Sequence, residues 1–430
     1  MAAPACEYEQ GHHPPHLINL KLGHPSTRLL PIEAFRRAAA HRLTDNDRSI
    51  LQYGADLGYA SYRTALAAFL TRQLAPLRVK ASELMGTCGN SLGLKLVCDT
   101  LRTTLAPQRR LVVLVEQPTY YIAGKIFASA GVECVAVRTD GEGLRPELLA
   151  DAVTRCIAAH GVSPAMLYTI PRYHNPLGVS LTRTRGEAVV AFAASHGMLV
   201  VADEPYSLLR FTEAASPASR GDAPLASLME LDRGRGIVVA LGSYSKILAP
   251  GMRCGWLHAA PARIAEFGNH GVVRSGGGLN PIVFGIAHSI LALGLLDGHL
   301  AALRRTLSAR RSALIEAIRS LLPDVALPHA DAPAGGYFLW AVLPPRVADA
   351  AAFLAFCDEA GAGVAFTPGA ACVAAPLEGG AAARAALRRS VRFSFAFYEE
   401  AELNEGVVRL ASALAVYNST PQHTLRAAAL

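Results

Sequence analysis

Ser243-Tyr244-Ser245-Lys246-Ile247-Leu248-Ala249-Pro250-Gly251-Met252-Arg253 gathers hydroxyls, one amine and one guanidinium around a glycine. An amine among anion donors is what a phosphate-bearing aldehyde needs: the amine condenses with the carbonyl while the hydroxyls and guanidinium hold the phosphate. Lys21, Lys80, Lys95, Lys125 and Lys246 are the only lysines of the chain, so Lys246 is not one of many surface charges. A lone lysine closing a surface turn is the competing reading, and the neighbours of Lys246 weigh against it.

Working outward, residues 237–241 just before this stretch form a short β-branched run, and similar runs occur at 111–115, 165–170 and 198–202. Between them, residues 146–159 and 183–196 repeat apolar side chains at helical spacing. Strands alternating with helices predict an α/β unit with a mostly parallel sheet. Ligands of such sheets sit beyond the carboxyl ends of the strands, so Asp203, the segment 171–178 and the segment 242–246 are expected to converge. Further on, residues 299–322 read as one long amphipathic helix ended by Pro323, suited to linking two domains. Strands are expected around 335–340 and 390–395, with a Thr367-Pro368-Gly369 turn between them and a closing helix from Glu399. This irregular order suggests a smaller α+β domain, followed by a loose tail after Tyr417.

Composition narrows the class. A chain of 430 residues that is 51% hydrophobic and 17% charged has ample material for two domains. The net charge of +7 comes from scattered arginines without a basic block, which argues against a nucleic-acid partner. The eight cysteines show neither C-x-x-C pairing nor metal-ligand spacing, and no metal site is expected. No apolar run approaches the ~20 residues of a membrane span, and the start lacks a secretory pattern, so a cytoplasmic enzyme is the expectation. His12-His13-Pro14-Pro15-His16 reads as a disordered arm more readily than as a metal tract.

Several motifs in one order give the chain a specific resemblance. Gly23-His24-Pro25, Thr87-Cys88-Gly89-Asn90-Ser91, Glu116-Gln117-Pro118-Thr119-Tyr120, Asn175-Pro176-Leu177-Gly178, Asp203-Glu204-Pro205-Tyr206 and the Lys246 stretch follow one another. The chain resembles a pyridoxal-phosphate (PLP) aminotransferase of fold type I, class I/II, in the branch of the 2-aminoadipate and kynurenine aminotransferases and the MocR effector domains. The resemblance implies a large domain with a mostly parallel, seven-stranded type of sheet over residues 47–297. It also implies a smaller α+β domain over 298–430, and an arm at 1–46 that belongs partly with the smaller domain.

The resemblance further implies roles. Lys246 is then the Schiff-base lysine and proton carrier, and Ser243, Ser245, Arg253, Gly89, Asn90 and Ser91 hold the phosphate, with a helix start supplying N–H groups. Asp203 pairs with the pyridine nitrogen, Tyr206 and Asn175 with the phenolic oxygen, and Tyr120 stacks on the ring. Tyr53 reaches a neighbouring subunit's phosphate, which makes the active form a homodimer with shared sites. Arg392 takes the substrate α-carboxylate, with Gly23 closing over the substrate. Leu177 stands where the family motif has threonine, which leaves the geometry of that turn open.

By itself each motif also has a plain reading: a capped helix start at Asn90, a core tyrosine at 120, a helix cap at Asp203, a surface ion pair at Arg392. Together they imply ping-pong transfer of an amino group from an L-amino acid to a 2-oxo acid. Lyase, decarboxylase or synthase chemistry on the same scaffold and a non-catalytic regulatory domain are the alternatives. Arg28 and Arg274 are candidate partners for a side-chain carboxylate, or solvated arginines. Dicarboxylic, aromatic and branched donors all stay open.

Overall fold

The computed structural model describes residues 14, 16–44, 48–104, 110–211, 225–329 and 333–420. The expected arm before Pro14 and the tail beyond Thr420 lie outside the described residues.

Among the described residues thirteen strands form three sheets. They are β1 (Ile18–Asn19), β2 (Leu84–Thr87), β3 (Leu111–Gln117), β4 (Val132–Asp140), β5 (Gly143–Leu144), β6 (Met166–Thr169) and β7 (Leu199–Asp203), then β8 (Val238–Ser243), β9 (Gly255–Ala259), β10 (Phe338–Val342), β11 (Val364–Ala365), β12 (Thr367–Pro368) and β13 (Ser390–Ser394). The large sheet has the order β2-β9-β8-β7-β6-β3-β4-β5. Its centre, β4-β3-β6-β7-β8, is parallel throughout, whereas β9 runs antiparallel to both β8 and β2. Seven strands make the expected sheet, and the two-residue β5 extends its edge. β3, β6, β7 and β8 are buried along their whole length. A parallel sheet covered on both faces needs near-continuous apolar runs, which is why these strands were legible as such.

The helices that cover it include Asn90–Thr104, Leu149–His160 and Arg183–Ser195. The segment 146–159, read as one helix from its spacing, divides into a short 3-10 turn at Pro146–Leu148 and the α-helix after it. Proline fixes the entry at this point, since its nitrogen has no hydrogen to donate.

The long helix runs Leu295–Leu321, starting four residues before the expected position and taking in Gly298. It follows Gly294, whose φ of 64° is accessible to glycine at no steric cost. At 1.5 Å per residue it is roughly 40 Å long. Leu296, Leu300, Leu303, Leu307, Leu314 and Ile318 form its buried stripe, which packs with the helix Glu400–Ser419. That closing helix continues two residues past Tyr417.

The smaller sheets are β10-β13-β12, antiparallel, and β1-β11, parallel. In the first of them Arg392 of β13 stands across from Trp340 and Thr367. Phe393 packs into the core against Phe366, so alternation turns Arg392 to the other face.

Candidate active site

The carboxyl ends of the parallel strands meet around one cavity of about 420 Å³. β3 leads to Tyr120, β6 to Asn175, β7 ends on Asp203, and β8 ends on Ser243 just before Lys246. β2 runs out through Gly89 to the helix Asn90–Thr104, and antiparallel β9 begins just after Arg253, which brings both to the same edge. The cavity is lined by Gly23, Asn90, Ser91, Tyr120, Asn175, Asp203, Tyr206, Ser243, Ser245, Lys246, Arg253 and Arg392, all anticipated from sequence.

Lys246 Nζ donates to the Gly23 carbonyl oxygen at 2.6 Å. Burial, with Arg392 and Arg253 adding repulsion against the attraction of Asp203, brings its pKa down to about 8. A neutral amine is therefore within reach near neutral pH, as a nucleophile and proton carrier requires. Asp203 is buried, and desolvation raises its pKa despite the Tyr168 and Asn90 hydrogen bonds and the Lys246 charge that oppose the rise. Asn90 Nδ2 donates to Oδ1 at 2.6 Å and the Tyr168 hydroxyl to Oδ2 at 2.7 Å, which fixes the carboxylate's orientation.

The same cavity holds an anion cradle. The first N–H groups of the helix starting at Asn90 have no intrahelical partner and carry the positive end of its dipole. Arg253 Nη1 donates to Ser245 Oγ at 3.4 Å, and Ser245 N donates to Ser243 Oγ at 3.0 Å. Arg253 is left-handed, with φ at 45°, an uncommon conformation for a non-glycine residue that recurs at ligand sites. Gly89 does not line the cavity itself. Its φ is +85°, and a Cβ there would stand 3.0 Å from Arg253 Nη2, so the glycine lets the guanidinium close against the loop.

Arg392 is buried under the Phe338 ring, its guanidinium carbon 4.2 Å from the centroid. Nη1 donates to Asn175 Oδ1 at 2.9 Å, and Nη2 to Lys21 O at 2.7 Å and Thr367 Oγ1 at 3.1 Å. Nε has no partner among the described residues. Three of the five N–H donors are thus engaged by the protein. Asn175 in turn hydrogen-bonds the Tyr206 hydroxyl, whose pKa burial pushes up. Burial likewise takes Tyr120 to about 12, so both phenols are neutral.

Three other anticipated residues lie elsewhere. Tyr53 is 77% exposed and does not reach this cavity. Arg28 faces Glu402 at 3.3 Å and Glu399 at 3.7 Å, and Arg274 faces Asp56 at 3.7 Å. None of the three lines the cavity. Conversely, Tyr168, Tyr337 and Phe338 were not anticipated. The Tyr337 hydroxyl donates to the Lys246 carbonyl at 2.6 Å, tying β10 to the lysine's backbone. A tyrosine near the end of an apolar strand and an aromatic pair after Gly335-Gly336 were the available signals.

The donor set suits a phosphorylated pyridine aldehyde. Among the described residues, Lys246, Arg253, Arg392 and Lys21 face the cavity against one carboxylate, Asp203, a balance that favours a phosphate and a substrate carboxylate. An amine, an anion cradle and a buried aspartate in one cavity, at the carboxyl edge of such a sheet, define a PLP-dependent enzyme of fold type I. The chain matches the aminotransferase class I and II family over residues 15–410 and belongs to it.

Relatives agree over nearly full length. An aromatic-amino-acid aminotransferase of Thermococcus litoralis is 29% identical over 93% of this chain and 88% of its own. The kynurenine aminotransferase of Pyrococcus horikoshii superposes with a TM-score of 0.79 at 27% identity, covering 94% of this chain and 92% of that one. The α-aminoadipate aminotransferase LysN of Thermus thermophilus, solved with N-(5'-phosphopyridoxyl)-L-leucine, gives 0.76 at 27%, covering 94% of each. The protein is a PLP-dependent aminotransferase, and these relatives favour transamination over the other chemistries of the scaffold.

Proposed function

We propose that this enzyme takes aromatic L-amino acids as donors and a 2-oxo acid as acceptor, by ping-pong transamination at Lys246. The observation that carries the donor choice is the apolar share of the cavity lining. Leu22, Tyr121, Ile122 and Phe338 supply it beside Lys21 and His24, and the candidate side-chain partners Arg28 and Arg274 are paired with Glu402 and Asp56. The names of the Thermococcus litoralis and Pyrococcus horikoshii relatives support the same class.

Asn90, Ser91, Ser243, Ser245 and Arg253 would hold the coenzyme phosphate beside Gly89, Asp203 the ring nitrogen, Tyr120 the ring face, and Asn175 with Tyr206 the phenolic oxygen. When bound, PLP supplies an aldehyde that receives the amino group and a protonated ring that draws in electrons from the substrate α-carbon. The protein's share is binding and proton movement. Arg392 takes the α-carboxylate, and Gly23 covers the substrate from the amino-terminal segment. Lys246, freed of the Gly23 carbonyl, would take the α-proton and hand it to the coenzyme's aldehyde-derived carbon in the first half of the cycle, and would carry a proton the opposite way in the second.

The active unit in this reading is a cytoplasmic homodimer, in which the exposed Tyr53 enters the partner's phosphate cradle. The division into an arm at 1–46, a coenzyme domain at 47–297 and a smaller domain at 298–430 belongs to the same proposal. The free thiols of the seven described cysteines suit a reducing compartment.

The test is a panel of amino donors with 2-oxoglutarate, read by glutamate formation. Phenylalanine, tyrosine and kynurenine are expected to outrun aspartate, 2-aminoadipate and leucine. A faster rate with a dicarboxylic donor would overturn the aromatic assignment.

A further inference from the structure

Glu116 is the last but one residue of β3, a carboxylate directly after the apolar run 111–115, and only 1% exposed. A charge at such a place is tolerated only when its oxygens are well satisfied. Three donors converge on it: Thr169 Oγ1 at 2.8 Å, the Ile170 N–H at 2.8 Å and His174 Nε2 at 3.0 Å. Thr169 ends β6, and Ile170 and His174 belong to the segment that runs from it to Asn175.

His174 is equally buried and uses both ring nitrogens. The Leu177 N–H donates to Nδ1 at 3.4 Å, so Nδ1 is the acceptor and Nε2 carries the hydrogen given to Glu116. The imidazole thus spans the turn that presents Asn175. Tyr173 just before it is held at a φ of 48°, a conformation a tyrosine adopts only where its surroundings impose it. Leu177, where the family motif has threonine, faces away into an apolar cluster with Val179 and Trp340. The turn is braced by the histidine rather than by a hydroxyl at position 177.

We infer that the buried Glu116–His174 pair is a positioning device for Asn175, setting at once the coenzyme contact and the substrate carboxylate site. The second effect follows because Asn175 Oδ1 accepts from Arg392 while its amide meets Tyr206. The pair acts through Asn175 and touches no reacting atom. This inference rests on the roles given above to Asn175 and Arg392.

The test uses the full-length holoenzyme with two substitutions. His174→Asn keeps an acceptor near Nδ1 but loses the donor to Glu116, whereas His174→Gln places an amide donor near Nε2. Donor KM, the coenzyme dissociation constant by equilibrium absorbance titration, and melting temperature are measured on each. His174→Asn is expected to raise both KM and the dissociation constant by about tenfold, and His174→Gln to restore each to within about threefold of wild type. A fall in melting temperature with both constants unchanged would make the pair structural and overturn the inference. Equal losses in the two variants would also overturn it, since only one retains the donor. A wild-type protein without a visible coenzyme band would instead defeat the site reading itself, so the two failures are distinguishable.

Discussion

Lys246 Nζ and the Gly23 carbonyl oxygen lie 2.6 Å apart, which joins the lysine of the large sheet's edge to the segment that follows β1. The contact engages the amine itself, so Gly23 reports directly on the lysine's surroundings. A Cβ at Gly23 would lie 2.9 Å from Phe338 Cζ, the ring that covers Arg392. Gly23→Ala is therefore expected to push Phe338 aside and raise donor KM by about tenfold, with a smaller effect on coenzyme affinity. Steady-state kinetics and an absorbance titration check the split. Lys246→Ala is the companion: it is expected to abolish both turnover and the visible coenzyme band.

The depressed pKa of Lys246 gives a pH signature. The unfolded chain holds this proton up to the ordinary value of 10.5, the folded apo-protein only to about 8. Between those values the unfolded state binds more protons, so this group's contribution to folding stability rises with pH through that window. Below about 8 the amine is charged in both states, and the cost of burying that charge is fully present. Urea denaturation of the apo-protein from neutral pH up to the ordinary lysine range checks this against Lys246→Met, whose stability lacks this rise. Coenzyme capture by the apo-protein is expected to accelerate up to pH about 8 and then level off.

Tyr168 and Asn90 are the two donors on Asp203, and removing one leaves a buried carboxylate half satisfied. The desolvation that already raises the Asp203 pKa would then go less opposed. Tyr168→Phe is expected to weaken coenzyme binding and lower kcat, each by about tenfold, with the fold intact by circular dichroism. An unchanged kcat would remove Tyr168 from the site.

How far the sequence carried the site depends on the distance over which each residue acts. Lys246, Asp203 and the cradle serines follow directly from strand ends, so local patterning placed them. Tyr168 could not be placed in this way: its value comes from lying on β6 next to β7, with Tyr168 registered against Val201 two residues before Asp203. Tyr337 meets Lys246 across 91 positions, and Glu116 meets His174 across 58, contacts that no periodicity encodes. β1, β11 and β12 are two residues each, too short for any alternation to show. Arg28 and Arg274 stand paired with Glu402 and Asp56, and charge alone does not tell a cavity arginine from one paired at the surface.

Tyr53 tests the shared-site dimer. At 77% exposure it is a large aromatic in water, alongside Ile32, Leu43 and Leu51 from the same stretch of chain. Exposed apolar side chains of this size are candidates for an interaction surface. The protein is expected to sediment at twice its 45.4 kDa chain mass. Tyr53→Ala is expected to weaken coenzyme affinity by about tenfold. Co-expressed with the inactive Lys246→Ala chain, it forms hybrids in which one site pairs an intact Lys246 with an intact Tyr53 from the other subunit. Activity above that of either parent is then expected, and activity no higher than the mixture's parents would place Tyr53 outside the site.

Arg392 offers the sharpest separation of binding from folding. Its guanidinium is held by Asn175, Lys21 and Thr367 and covered by Phe338, so truncation to alanine would leave these acceptors unpaired and confuse the two effects. Arg392→Lys keeps the charge but supplies three donors in place of five, too few to satisfy the same acceptors and a carboxylate together. Donor KM is expected to rise by about a hundredfold, consistent with loss of a charge-assisted pair, while coenzyme affinity changes far less. The decisive comparison is between an amino acid and the amine that lacks its carboxylate: the substitution is expected to erase most of the wild-type preference for the former. If that preference survives, the α-carboxylate is held by another group and the assignment of Arg392 fails.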